Sequence, residues 1–284
     1  MPKPYAIATC CDAKYGDFLL NHWLKSLQHN VNLKQIDVVV LDYGLTGEQR
    51  AQLHARQVVT VPCRKDGSVV LLRIRDVIPL FRERGYQKVL SVDGGDVIFQ
   101  ADISDVFAHP CDRPALVAEE IRTPFFEALI QHDDIRPELL AEVLGVVRNK
   151  PILNSGVVLG TAEVFQRYWD ECRRVCHSFK CYGTDQLILN YLAYRDGHYT
   201  LNGKYNYVIV ASRTPFYIRD GEFYFRDSSK IHVVHDAGGK NWIRVIANFG
   251  YGPMHNQRKT LRPLLNRVGM SFLNAWHRLK LKAG

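Results

Sequence analysis

At 284 residues, with 46% apolar and 23% charged side chains, the chain is long enough to bury a sizeable core and has the composition of an ordinary soluble globular enzyme. Its net charge of +8 sits at one end: no acid follows Asp236 but nine Lys and Arg do, which argues against a nucleic-acid surface spread over the fold and for an anionic surface met by the tail. No apolar run approaches the ~18 to 20 residues of a membrane span, the N-terminus lacks a signal core, and the seven scattered cysteines contain no Cys-x-x-Cys pair, so a cytosolic protein with reduced thiols and no structural zinc is expected.

In chain order, Tyr5 to Thr9 is a short apolar β-type run. Cys10 to Tyr15 is polar and turn-like, and a helix follows with Phe18, Leu19, His22, Trp23, Ser26 and Leu27 at helical spacing. Ile36 to Leu41 reads as a buried strand. Asp42 to Thr46 turns into a helix capped by Thr46, with Gln49 as the other half of a capping box. Gln57 to Val61 predicts a third strand, and a helix from about Val70 to Arg84 leads into a fourth at Lys88 to Val92. Ala115 to Ala118 is a further strand. Glu119 to Lys150 is mixed in charge, helical in parts, and a candidate mobile loop or small subdomain. Pro151 to Gly160 is apolar but broken by Asn154-Ser155-Gly156, Ala162 to Phe179 is an amphipathic helix, and Thr184 is the expected N-cap of the next one. Tyr207 to Val210 and Lys230 to Val234 are late strands. Strands alternating with helices at this spacing imply an α/β fold with a mostly parallel sheet covered on both faces.

Asp93-Gly94-Gly95-Asp96 follows a run too apolar to be a surface strand, so two acids stand at a strand's C-terminal edge, where open α/β sheets bind ligands. The same residues fit a plain Asp/Gly turn. As a site they form a hard, anionic oxygen pair suited to a divalent cation that carries a diphosphate. Polar residues also collect at Thr9 to Tyr15, Asn154 to Gly156, Asp185-Gln186 and His235 to Trp242.

Taken in order, these islands resemble the nucleotide-sugar-dependent glycosyltransferases of family 8, the group of glycogenin and the bacterial lipopolysaccharide sugar transferases. The likeness runs from Tyr5 to about Trp242. It is carried by Val38 to Thr46, by Asp96 to Phe107, by Asn154-Ser155-Gly156-Val157-Val158-Leu159, by Asp185-Gln186-Leu187-Ile188-Leu189-Asn190, and by His235-Asp236-Ala237-Gly238-Gly239-Lys240-Asn241-Trp242. The chain departs from the family in having Asp-Gly-Gly-Asp for Asp-x-Asp and Asn241 for a proline.

The resemblance implies a GT-A-type, Rossmann-like domain over residues 1–250 that moves a hexose from a UDP-sugar to a glycan or glycolipid acceptor such as lipopolysaccharide, with retention. It implies Mn²⁺ or Mg²⁺ on Asp93, Asp96 and His235. Donor contacts would come from Ala8, Thr9, Asp12, Tyr15, Arg75, Asp93, Asn154, Ser155, Gly238 and Lys240, with Tyr15 stacking on the base and Arg73 competing with Arg75. Asp185 and Gln186 would face the reacting sugar. A sugar-1-phosphate nucleotidyltransferase would need similar acids, but Thr9 to Gly16 lacks its glycine-rich basic loop; an inactive nucleotide-sugar or glycan binding module is the other alternative.

Residues 251–284 form a basic tail with Leu261, Leu264, Leu265, Val268, Phe272, Leu273, Trp276 and Leu279 near one helical face. That pattern predicts a helix lying on an anionic membrane surface, which would hold the protein peripherally on the inner face of the cytoplasmic membrane.

Overall fold

The computed structural model describes residues 3–122, 132–238, 244, 246–253 and 256–257. Its centre is a seven-stranded sheet. Strands β1 (Tyr5–Cys11), β2 (Ile36–Asp42), β3 (Val59–Pro62), β4 (Lys88–Val92), β6 (Ala115–Arg122), β7 (Pro151–Gly160) and β8 (Tyr199–Thr200) lie in the order β3-β2-β1-β4-β7-β6-β8. β3, β2, β1 and β4 are mutually parallel, with Thr9 opposite Val40 and Ala8 opposite Ser91. β7 runs antiparallel to β4 and β6.

Because consecutive side chains of a strand point to opposite faces, a strand buried on both sides is apolar at most positions, and β1 and β2 are so between their ends apart from Thr9 and Asp37. Ala6, Ala8, Val39 and Leu41 enter one core, and Ile7, Val38 and Val40 the other. The first core is covered by α4 (Val69–Arg84), α5 (Pro137–Val147), α6 (Ala162–Val175) and α7 (Thr184–Asp196). The second is covered by α1 (Ala13–Phe18), which passes through a π-helical turn at Leu19–Trp23 into α2 (Leu24–Asn30). Between β2 and β3, α3 (Gly47–Ala55) opens on the expected Thr46–Gln49 capping box.

A smaller sheet joins β5 (Val97–Phe99), β12 (Val233–His235) and β9 (Tyr207–Val208), with β12 in the middle. The hairpin β10 (Phe216–Arg219) and β11 (Glu222–Phe225) packs near it through Phe223. His235 pairs with Val97 across β5, which carries it to the end of the Asp-Gly-Gly-Asp turn. Farther on, β13 (Ile246–Ala247) pairs with β14 (Asn256–Gln257), and the Tyr251 hydroxyl is 3.0 Å from His29 Nδ1. Among the described residues no helix is long and apolar enough to cross a membrane. Residues 258–284, with the expected membrane-binding face, lie outside the described residues.

Several expectations are corrected. β7 is continuous through Asn154-Ser155-Gly156, because both polar side chains are buried and bonded inside the protein. Where a loop or subdomain was expected after Glu119, β6 continues to Arg122 and α5 docks on the core through Val143 and Val147, while residues 123–131 lie outside the described set. β1 extends to Cys11, and α6 ends at Val175 rather than Phe179. Thr184 is the first helical residue of α7 and not its cap; Gly183 holds that position at φ +88°, in the left-handed region glycine tolerates. The Thr184 hydroxyl instead lies 3.4 Å from Asp134, which also accepts the Cys181 N–H.

Candidate active site

In this sheet β1 has β2 on one side and β4 on the other, so the chain changes direction of winding between β1 and β4. The C-terminal ends of those two strands open a crevice there. Asp12 leaves β1 and Asp93 leaves β4 at that edge.

Asp93, Asp96 and His235 offer ligand atoms that all lie within 4.8 Å of one another. His235 Nε2 is 3.7 Å from Asp93 Oδ2 and 3.4 Å from Asp96 Oδ1. Each acid gives its other oxygen to an arginine: Asp93 Oδ1 to Arg73, and Asp96 Oδ2 to Arg244 at 3.1 Å. The oxygens turned to the imidazole are therefore free of arginine. Two carboxylate oxygens and one imidazole nitrogen converging in this way fit Mn²⁺, with Mg²⁺ also accommodated. Gly156 sits behind the cluster, where a Cβ would come 2.5 Å from His235 Cε1 and 2.9 Å from Asp93 Oδ2, so only glycine lets β7 approach this closely.

Charges here are held by their neighbours. Burial pushes the Asp93 carboxyl up, but the Arg73 guanidinium and then His235 outweigh it and hold the group below the usual carboxylate range. For Asp185 burial dominates, so its carboxyl is raised despite Arg73. His235 is pulled down by burial and pushed up more strongly by Asp96 and Asp93. Burial drives the Cys10 thiol beside them up to about 12, so it is no nucleophile at neutral pH.

Arg73, from α4, joins the elements of the site. It is buried, pairs with Asp93, donates to the Ser155 carbonyl at 2.6 Å and stands 3.8 Å from Asp185. Arg75 does not enter this cluster; Asp66, Asp76 and the Arg64 carbonyl hold it. On β7 and α7, the Ser155 hydroxyl donates to Asp185 at 2.9 Å, and its N–H donates to Gln186 Oε1 at 3.3 Å. Asn190 pins the helix to the strand by exchanging hydrogen bonds of 2.7 Å with the Leu153 N–H and carbonyl.

Ala8 turns its side chain into the core. The Thr9 hydroxyl is buried and makes no hydrogen bond among the described residues. Asp12 caps α1 through Lys14 N and pairs with Lys65 at 2.8 Å. Tyr15 and Tyr182, 40% and 69% exposed, are the two exposed large apolar side chains among the described residues, and both stand at this edge. Tyr15 lies against Gly95. The Gly238 carbonyl accepts from Arg244, and Lys240 lies outside the described residues.

A cavity of about 480 Å³ adjoins the cluster, lined by Glu119, Asn206, Tyr207, Ala211, Phe225 and Asp227 among others. Burial pushes the Glu119 carboxyl up to about 7, with the Asn154 hydrogen bond and His235 only partly opposing it. Its folded value thus lies above the unfolded one near 4.5, so its contribution is fully present below that value and is lost as pH rises toward 7. Glu119 is accordingly expected to lower stability over this window. For a half-buried residue the loss is about 1 to 3 kcal/mol. Glu119→Gln is expected to flatten this fall in thermal midpoint between pH 5 and 8, and an unchanged profile would show that Glu119 is ionised throughout.

No protein-family model matches the chain, nor does the sequence of any curated protein. Solved structures do match. The galactosyltransferase LgtC, in complex with donor and acceptor sugar analogs, aligns at a TM-score of 0.53 and 20% identity over 84% of this chain and 89% of its own. The fold is that of the GT-A glycosyltransferases. The bifunctional glycosyltransferase WbbM aligns at a TM-score of 0.56 and 15% identity over 85% of this chain, which spans only 47% of that one. The glycosyltransferase GlyE of Streptococcus pneumoniae TIGR4 aligns at 0.53 and 17% identity over 99% of this chain and 64% of its own. The fold implied by the sequence islands is therefore borne out.

From sequence reasoning Arg73 came second to Arg75, and Arg244, Glu119, Asn206 and Tyr182 were missed. The packing of α4 turns Arg73 inside and so selects it over Arg75. The others are brought in by tertiary contacts with no local pattern.

Proposed function

We propose that this chain is a divalent-metal-dependent glycosyltransferase that moves a hexose from a UDP-sugar to a hydroxyl of a glycan or glycolipid acceptor, with retention. The observation that carries the reading is the Asp93–Asp96–His235 cluster at the edge of a GT-A sheet, with one oxygen of each acid left to a cation. A cation held there supplies a counter-charge to the diphosphate as it leaves. Arg73 fixes the Asp93 carboxylate and so keeps that ligand aimed.

Transfer breaks the bond between the anomeric carbon and the diphosphate oxygen, which keeps the electron pair. A bond to the acceptor oxygen forms on the same face, and the acceptor's proton passes to the departing phosphate oxygen. Gln186, half-exposed on α7 and steadied by Ser155, presents its amide to the reacting sugar. Asp185 is buried behind it and orients Ser155. The neighbouring cavity shares Glu119 and Asn206 with the surroundings of the cluster, which favours it as the acceptor's place.

Assay with a panel of UDP-sugars and Mn²⁺ tests the reading. Metal-dependent hydrolysis or transfer supports it; pyrophosphorolysis of the donor would indicate a nucleotidyltransferase, and binding without turnover an inactive module. Tyr15→Ala is expected to raise the donor KM by the loss of about 1 to 3 kcal/mol of base stacking. Since Tyr15 is 40% exposed, its thermal midpoint is expected to stay near wild type. A large drop in midpoint with unchanged KM would make Tyr15 a packing residue.

A further inference from the structure

Behind the cluster runs a directed chain of hydrogen bonds whose polarity is fixed at one end. The Gly156 backbone N–H donates to Asn154 Oδ1 at 2.8 Å. A backbone N–H can only donate, so the Asn154 atom facing it is the carbonyl oxygen and its other terminal atom is the NH₂. That NH₂ donates to Glu119 Oε1 at 2.5 Å. The same Asn154 oxygen meets the Asn206 side chain at 2.7 Å, so Asn206 must present its own NH₂ there; turned over, it would set two oxygens against each other. Its carbonyl oxygen is then the atom 3.0 Å from His235 Nδ1. An amide oxygen only accepts, so Nδ1 carries the hydrogen and Nε2 is the nitrogen turned to Asp93 and Asp96. Asn206 and His235 are each 2% exposed, which leaves little access for water to substitute for this bond.

We infer that Asn206 is a positioning residue that fixes the Nδ1–H tautomer and ring orientation of His235, so that Nε2 presents its lone pair to the cation site. The cation part rests on the metal reading of that site. Asn206 lies 29 residues before His235 and donates to no group of the cluster itself. Outer partners of this kind hold ligating histidines in other metal sites, and their loss lowers metal affinity by about 10- to 100-fold.

Asn206→Leu keeps the shape and removes the acceptor, whereas Asn206→Asp keeps an acceptor for Nδ1 and, protonated at its other oxygen, the donor that Asn154 Oδ1 requires. The full-length protein without metal is compared by NMR of the imidazole nitrogens at a pH where His235 is neutral, with His235→Ala to assign the signals. Mn²⁺ affinity is measured by electron paramagnetic resonance with UDP present, alongside the thermal midpoint. The expected result is an Nδ1–H imidazole in wild type and Asn206→Asp, and a mixture of tautomers in Asn206→Leu. Mn²⁺ affinity should fall about 10- to 100-fold in the leucine variant and by clearly less in the aspartate variant. An Nε2–H imidazole in the wild type, or a leucine variant that keeps both tautomer and affinity, overturns the inference. So does a loss of affinity that merely follows the thermal midpoint in both variants. An Nδ1–H imidazole held by Asn206 in a wild type that binds no Mn²⁺ upholds the positioning role and defeats the metal reading instead.

Discussion

Asp96→Ala is expected to lower sugar transfer by about a thousandfold or more and to abolish nucleotide-dependent Mn²⁺ binding, with little change in thermal midpoint. Removal of a single group that stabilises developing charge already costs about two to three orders of magnitude, and loss of the cation removes more than one such contact. The fold should tolerate the change because, of the partners left behind, Arg244 has a side chain 22% exposed and keeps its hydrogen bond to the Gly238 carbonyl, and His235 keeps Asp93 at 3.7 Å. Asp93→Ala should differ in kind. It removes a ligand and also strips the buried Arg73 of its closest carboxylate, so activity and stability fall together. The two variants therefore separate the metal role from the structural one. Wild-type activity that survives excess EDTA would defeat the metal hypothesis for both residues.

The fold was legible wherever the physics is local. β1, β2 and β4 announce themselves by short, mostly apolar runs, and the Thr46–Gln49 box marks the start of α3 because both halves of a capping box are fixed by sequence spacing. Misreadings occur where a distant partner decides. Asn154 and Ser155 look like a break in a strand because buried polar groups are costly unless bonded, and their bonds come from Glu119, Asn206, Asp185 and Gln186. None of those partners is close in sequence. Thr184 is a good cap by type, yet Gly183 takes the position because the backbone there must turn through positive φ.

The same distinction governs the site. Asp93 and Asp96 were readable as acids at a strand end and His235 through the resemblance of its loop to family 8, and the structure brings all three together. The Asp-Gly-Gly-Asp spacing does not separate the acids: β5 begins directly after Asp96, and its pairing with β12 returns His235 to face both. Arg73 and Arg75 could not be ranked from spacing alone. Two positions apart on a helix places them on different faces, and only the packing of α4 on the sheet decides which face is inside.

That difference yields the largest expected effect on stability. Arg73→Met is expected to destabilise the protein by about 3 to 5 kcal/mol, the usual result of breaking a buried ion pair by removing one partner. Arg73 has a side chain only 4% exposed, and without it Asp93 and Asp185 would face each other with no intervening cation and the Ser155 carbonyl would lose its donor. Arg73→Lys should recover only part of the loss, since a lysine supplies charge without the planar fork that spans Asp93 and the Ser155 carbonyl. Arg75→Ala is the control. Its own side chain is 27% exposed, where an ion pair contributes about 0 to 1 kcal/mol, and without it Asp76 keeps the Tyr43 hydroxyl as a donor, so its thermal midpoint should stay close to wild type. Urea unfolding of the three variants decides the matter: equal losses for Arg73→Met and Arg75→Ala would mean that Arg73 is not the buried counter-charge on which the geometry of the acids depends.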